Sequence, residues 1–329
     1  MSKFPQARLR RLRLNEPLRR MLDTPVPGPE KFIWPVFVTD GEGKREPIEA
    51  MPKQNRLSVD CLIEDLKPVV ESGIGGVLIF GVVNENEKED RGGAAWDSEG
   101  VVQKAVMAVR KNYPDLLVFT DVCLCAYTEH GHCGILNMHG HVDNDQTNEA
   151  LARIAISHAN AGAHAVAPSA MMDGQVSSIR FSLDSAGFQD TIIMSYSTKF
   201  SSSLYDPFRD AEQSAPQFGD RKSYQGSYGD MRQALRESLM DEQEGADILM
   251  VKPAMFYLDV LNRIRDKTEL PIAAYNVSGE YSMLIAQADK GWGDLKKMVI
   301  ESTTAISRAG ADIIISYWAN QYNEMFGNR

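Results

Sequence analysis

No apolar run in the sequence approaches the roughly 20 residues that a membrane-spanning helix needs, and no apolar signal-peptide segment follows the basic amino terminus. The chain is therefore expected to be cytoplasmic, with no membrane partner. Positive charge is also in short supply: 35 Lys and Arg stand against 45 Asp and Glu, a net charge of -10. Phosphate binding wants a surplus of cations, so nucleic acid is excluded as a partner. What positive charge there is lies unevenly. Lys3, Arg8, Arg10, Arg11, Arg13, Arg19 and Arg20 face only Glu16 in the opening stretch, so a basic arm precedes an acidic body. Such an arm suits docking on an acidic neighbouring subunit, or it is a solvated tail.

With 329 residues and 43% apolar content the chain can bury one sizeable core, and α/β barrels routinely exceed the usual single-domain length. A local phrase recurs through the body. A polar-faced helical stretch ends in Gly, a small residue follows, and a short, nearly uniform apolar run is closed by a polar residue. N-A-G-A-H-A-V-A-P-S ends at Ser169, E-G-A-D-I-L-M-V-K-P surrounds Lys252, and R-A-G-A-D-I-I-I-S-Y ends at Tyr317. Gly at a helix C-terminus before a fully apolar run is the grammar of a parallel sheet covered on both faces. F-I-W-P-V-F-V, G-V-L-I-F-G, L-L-V-F-T-D, T-I-I-M-S-Y and P-I-A-A-Y-N bring the strands to eight. Eight strands alternating with helices predict a closed (β/α)8 TIM barrel. The first strand lacks a G-x-G-x-x-G turn, so an open dinucleotide-binding sheet has little support. The expected organisation is an arm for oligomer contacts over residues 1–30 and a catalytic barrel over residues 31–329.

Barrel active sites form at the carboxyl ends of the strands, where this sequence places Asp121, Ser169, Lys199, Lys252, Ser278 and Tyr317. Such residues can also be plain caps or loop contacts. The two lysines carry more information. A lysine held against apolar walls near a second cation loses proton affinity, and a neutral amine can attack a carbonyl, so the pair suggests Schiff-base chemistry. Residues 200–229, rich in Ser, Gly, Pro and Asp, are expected to form a loop that acts as a lid. Within it Arg209, Arg221, Lys222 and Gln225 offer donors suited to a carboxylate. Of the four cysteines, Cys123, Cys125 and Cys133 cluster after the third strand. In a cytoplasmic chain this favours thiolate ligation, and three ligands leave open the fourth tetrahedral position that catalytic zinc requires. His130 and His132 compete for the same site, whereas Cys61, alone in a predicted helix, is expected to pack in the core.

These residues resemble a known family. G-A-D-I-L-M-V-K-P-A-M-F-Y, Gly245 to Tyr257, looks like the active-site signature of the porphobilinogen synthases, also called 5-aminolevulinate dehydratases. D-V-C-L-C, H-G-H-C-G, A-P-S-A-M-M-D-G, Y-S-T-K-F, P-F-R-D-A, F-G-D-R-K-S-Y-Q, V-S-G-E-Y and S-Y-W-A extend the similarity across essentially the whole chain. The resemblance implies condensation of two 5-aminolevulinate molecules to porphobilinogen, with loss of two waters, in tetrapyrrole biosynthesis. It implies that Lys252 forms the Schiff base with the first substrate and Lys199 holds the second. Ser278 and Tyr317 match positions that bind the first carboxylate, Arg209, Arg221 and Gln225 those that bind the second, and Asp121 and Ser169 residues near the reacting amino group. It further implies zinc on Cys123, Cys125 and Cys133, an allosteric magnesium at Glu237 on a subunit interface, and an octamer.

The sequence departs from the family at two places. Ala126 stands where proline is common after the second cysteine, and Asp206 where the lid commonly has glycine, which puts the local turn in doubt. In M-R-Q-A-L-R-E-S-L-M-D, the spacing of Met231, Leu235 and Leu239 predicts that this face packs on the barrel and Glu237 projects away. A single-lysine aldolase or dihydrodipicolinate synthase-like barrel would need no tri-cysteine loop. A non-catalytic scaffold would have lost at least one of the positions named above, and none is missing.

Overall fold

Each of the eight apolar runs becomes a strand: β1 Phe32–Thr39, β2 Gly76–Val82, β3 Leu117–Val122, β4 Ala165–Pro168, β5 Ile192–Lys199, β6 Ile248–Lys252, β7 Ile272–Asn276 and β8 Ile313–Ser316. The computed structural model describes residues 3–327; the outer ends of the expected arm and barrel, residues 1–2 and 328–329, lie outside the described residues. Each strand pairs in parallel with the next. The sheet closes where Phe32 and Ile33 of β1 meet Ile314 and Ile315 of β8. The result is a (β/α)8 barrel. Helices Val59–Glu71, Val101–Asn112, Asn144–Ala161, Gln175–Ser185, Met231–Gln243, Leu258–Arg265 and Leu295–Arg308 link successive strands. Every residue of β1 and β2 is buried, because the barrel interior takes one face and the helices cover the other. Gly162 and Gly245, each at the end of a helix that feeds a strand, have φ of +100°, a left-handed conformation that costs glycine nothing.

Three features differ from the sequence reading. A small antiparallel pair, Arg45–Pro47 with Asn55–Leu57, extends the sheet beside the end of β1. The lid is not a bare loop: residues Asp206–Glu212 form a helix with Pro207 in its first turn and Phe208, Ala211 and Glu212 buried. Two of these three side chains are apolar, a span too short to read as a period. The third difference lies in helix Met231–Gln243, whose buried positions are Ala234 and Ser238. Thr198 Oγ1 donates to Ala234 O at 3.1 Å and lies 2.7 Å from Ser238 Oγ, so small residues let the helix approach β5. Leu239 is only partly buried, and Glu237 does not project away but is half-buried in a groove.

Residues 3–25 carry no buried side chain, and Phe4, Leu9, Leu14 and Met21 are exposed there. A short helix, Glu16–Leu22, is capped by Asn15, whose Oδ1 accepts from Leu18 N at 3.0 Å. Among the described residues no helix is long and apolar enough to cross a membrane.

Candidate active site

Lys199 and Lys252 end β5 and β6 and are direct partners in the register of those strands. Both are buried, at 5% and 4% exposure. Lys252 Nζ sits in a box of rings, 4.3 Å from the centre of Tyr275, 4.8 Å from Phe208, 5.0 Å from Tyr196 and 5.2 Å from Tyr205. Burial first, and the neighbouring Lys199 cation second, push its pKa down to about 7. Lys199 Nζ donates to Ser169 O at 2.7 Å and lies 5.5 Å from the centre of the same Tyr196 ring. Asp121, on β3, is half-buried, with its Oδ1 enclosed. Desolvation and the nearby Glu212 raise its pKa to about 7, against the pull of both lysines, and its Oδ1 has no hydrogen-bond partner. A neutral amine and a protonated carboxylic acid are thus both available near neutrality.

The loop after Lys252 is held by a residue the sequence reading passed over. Buried Glu280 accepts from Met255 N at 2.7 Å, Val277 N at 2.9 Å and Asn276 Nδ2 at 3.0 Å, clamping the end of β6 to the end of β7. Ser278 opens the next helix, where its Oγ accepts from Phe208 N at 3.0 Å. Tyr317, one residue beyond β8, has its hydroxyl 3.2 Å from that of Tyr275. The lid helix therefore reaches Ser278 directly, through Phe208, whose ring also packs on Phe37 and Phe80 at the barrel mouth.

From the lid, Arg221 Nη2 donates to Gly131 O at 2.9 Å and Ser214 O at 2.5 Å, while its Nε is buried without a partner. The Gln225 amide is buried with both polar atoms unpartnered. A buried amide with no partner costs on the order of 1–3 kcal/mol, a cost that a carboxylate ligand would relieve. Arg209 is engaged instead by Asp206, Nη1 to Oδ1 at 2.8 Å. The residue that replaces the expected glycine thus occupies a substrate-facing candidate.

Cys123, Cys125 and Cys133 are buried and free, and their sulfurs lie within 4.8 Å of one another. Among the described residues no other group of three or more His, Cys, Asp or Glu side chains gathers as tightly. Hydrogen bonds from Cys123 and Cys125 hold the Cys133 thiol well below its ordinary pKa, and the Arg221 and Lys199 cations add to this. Three clustered soft donors, one already favouring thiolate, fit zinc. The histidines do not join them: His132 Nδ1 lies 3.0 Å from Tyr224 OH and its Nε2 3.1 Å from Phe218 O, while His130 Nδ1 accepts from His132 N at 3.1 Å. Cys61 packs in the core.

Glu237 lines a cavity of about 520 Å³ between helix Met231–Gln243 and the loop after β4, together with Asp173, Gln233, Asp241 and Glu244. Burial raises its pKa. These hard oxygen donors are too dispersed to cage a bare ion, and they fit magnesium that keeps most of its water.

The sequence reading also missed Tyr196, Tyr205, Phe208 and Tyr275 of the lysine box, and Glu212. Alternation does not mark Tyr196, which is three residues from Lys199 and shares its face only through the register shift between Ser195 and Thr198. Nothing local marks the lid residues, which reach the lysine only through the fold.

Fold and site together define a (β/α)8-barrel enzyme with paired lysines at its mouth. The profile of the delta-aminolevulinic acid dehydratases matches residues 6–325. The delta-aminolevulinic acid dehydratase of Synechococcus elongatus is 49% identical over 319 residues, spanning 96% of this chain and 97% of that protein. That of Methanothermobacter thermautotrophicus is 50% identical over 318 residues, with 96% of each covered. The crystal structure of the Toxoplasma gondii enzyme, in complex with the reaction product porphobilinogen, superposes with a TM-score of 0.95 at 42% identity, over 98% of this chain and 92% of that one. The chain belongs to the delta-aminolevulinic acid dehydratase family.

Proposed function

We propose that this chain is a porphobilinogen synthase, a lyase that joins two 5-aminolevulinate molecules with loss of two waters to supply tetrapyrrole biosynthesis in the cytoplasm. The observation that carries the reading is the pair of buried lysines on adjacent strand ends, one inside an aromatic box. Two ketone substrates need two activated amines, and two carboxylates need two separate donor groups.

In this reading the neutral Lys252 amine adds to the ketone carbon of the first substrate. The resulting carbinolamine loses its hydroxyl as water, leaving the imine. Ser278 and Tyr317 hold that substrate's carboxylate. Lys199 forms the second imine, while Arg209, Arg221 and Gln225 hold the second carboxylate from the lid. Asp121, poised near neutrality, takes or returns protons at the reacting amino group, with Ser169 beside it. Zinc on Cys123, Cys125 and Cys133 would supply Lewis acidity toward the second substrate. Phe208 and the lid helix keep water from the imines. Magnesium at Glu237 acts allosterically, and the arm, residues 1–30, packs its exposed apolar and basic side chains on a neighbouring subunit of a homo-octamer.

Incubation of the purified protein with 5-aminolevulinate, with zinc and after chelation, tests the reading by the colour of the pyrrole product. Zinc-dependent pyrrole formation is expected; its absence under both conditions would contradict the assignment.

A further inference from the structure

The lid brings one more donor to the cysteine cluster. Glu212, the last residue of helix Asp206–Glu212, is 3% exposed, and its Oε2 lies 3.4 Å from Cys125 Sγ. Among the described residues this carboxylate forms no ion pair. A buried carboxylate without a bonded cation is costly, and its environment here is a thiol cluster suited to a dication.

The backbone around Glu212 is held by three cationic side chains. Arg56 donates to Asp210 O at 2.6 Å and Ala211 O at 2.7 Å. Lys88 Nζ donates to Gln213 O at 2.8 Å, and Arg221 Nη2 to Ser214 O at 2.5 Å. Three cations thus bond carbonyls at and just beyond the end of the lid helix, where its dipole favours them. The segment is held so that the Glu212 carboxylate reaches Cys125 at the edge of the sulfur cluster.

The 3.4 Å separation from Cys125 matches ligation, and since the carboxylate lies outside the group of three sulfurs gathered within 4.8 Å, metal binding would draw it inward. Tetrahedral zinc with Zn–S near 2.3 Å and Zn–O near 2.0 Å holds sulfur and oxygen ligand atoms about 3.5 Å apart. We propose that Glu212 is a fourth protein ligand to the metal of the Cys123, Cys125 and Cys133 site, so that metal binding tethers the lid to the barrel. This rests on the zinc reading of the cysteines given above. The carboxylate is the exchangeable donor of the set, since it alone is carried by the lid, whereas the three sulfurs belong to the segment after β3.

The test uses the full-length protein and three variants, Glu212→Gln, Glu212→Ala and Cys133→Ala. Zinc affinity is measured by chelator competition, and cleavage of residues 200–229 by limited proteolysis is followed with and without zinc. Glu212→Gln keeps the side-chain volume, so it carries the test if the alanine variant folds poorly. Zinc should bind the parent at one per chain and protect the lid. Glu212→Gln should weaken zinc at least about tenfold and abolish that protection. Unchanged affinity and equal protection in Glu212→Gln, with zinc lost in Cys133→Ala, would overturn the proposal and leave the cysteine site standing. If the parent takes up no stoichiometric zinc, the cysteine site itself is wrong and the proposal falls with it.

Discussion

Removal of the Lys199 charge should raise the pH at which Lys252 becomes reactive. The pKa of Lys252 falls from 10.5 to about 7, through burial and then through Lys199. At roughly 1.4 kcal/mol per pH unit this is on the order of 5 kcal/mol in favour of the neutral amine. At pH 7 about half of Lys252 is then neutral, against fewer than about one in a thousand for an ordinary lysine. The part owed to Lys199 can be bounded from geometry. The two nitrogens lie 5.5 and 5.0 Å from the centre of the Tyr196 ring, so they are at most 10.5 Å apart. Unit charges at that limit, in an effective dielectric of about 20, repel by about 1.6 kcal/mol, a little over one pH unit. Lys199→Met keeps the stem and removes the charge. The variant should lose turnover yet still form an imine at Lys252, and the midpoint of borohydride trapping with 5-aminolevulinate should rise from near pH 7 to about pH 8 or above. The sign is set by the base form: trapping is weak below the pKa and grows as pH rises through it. An unchanged or lower midpoint in a folded variant would refute the coupling between the lysines.

Three further outcomes follow from the lid and the groove. Arg209→Ala and Arg221→Ala should each weaken substrate saturation by roughly 1.5 to 3 kcal/mol, on the order of tenfold or more, while single-site trapping at Lys252 survives; steady-state kinetics of both variants check this. Asp206→Asn should release Arg209 and tighten saturation, but by at most about fivefold, because the pair is partly exposed and such pairs contribute roughly 0.2 to 1 kcal/mol; weaker saturation would show that Asp206 helps to position Arg209. Glu237→Ala should leave zinc content unchanged and remove magnesium stimulation, with sedimentation shifting toward smaller assemblies, and a parental magnesium response would return Glu237 to an ordinary groove residue.

The barrel was legible because its strands are buried on both faces and each needs a largely apolar run, which leaves charged residues only toward the ends. For that reason Lys199, Lys252, Asp121, Ser169 and Tyr317 stood out, and the fold gathers them at one mouth. The cysteines were equally readable, since their clustering is local and survives in space. What escaped notice depends on contacts between segments far apart in the chain. Tyr205 and Phe208 wall Lys252 only because the lid folds back over β6. Glu212 lay unremarked in a segment expected to be a loop, and only burial places it beside Cys125. Met231 and Leu235 do pack on the core as their spacing suggested, but Glu237 was misplaced because β5 also accepts the helix closely through Ala234 and Ser238, which leaves Glu237 in the groove.

The central claim is that Lys252 forms the indispensable imine. Borohydride reduction of the protein in the presence of 5-aminolevulinate, followed by peptide mass analysis, tests it most directly. One reduced substrate adduct on the peptide that carries Lys252, absent in an inactive Lys252→Ala variant, is the predicted result. Adducts confined to exposed lysines such as Lys222, with Lys252 unmodified, would contradict it.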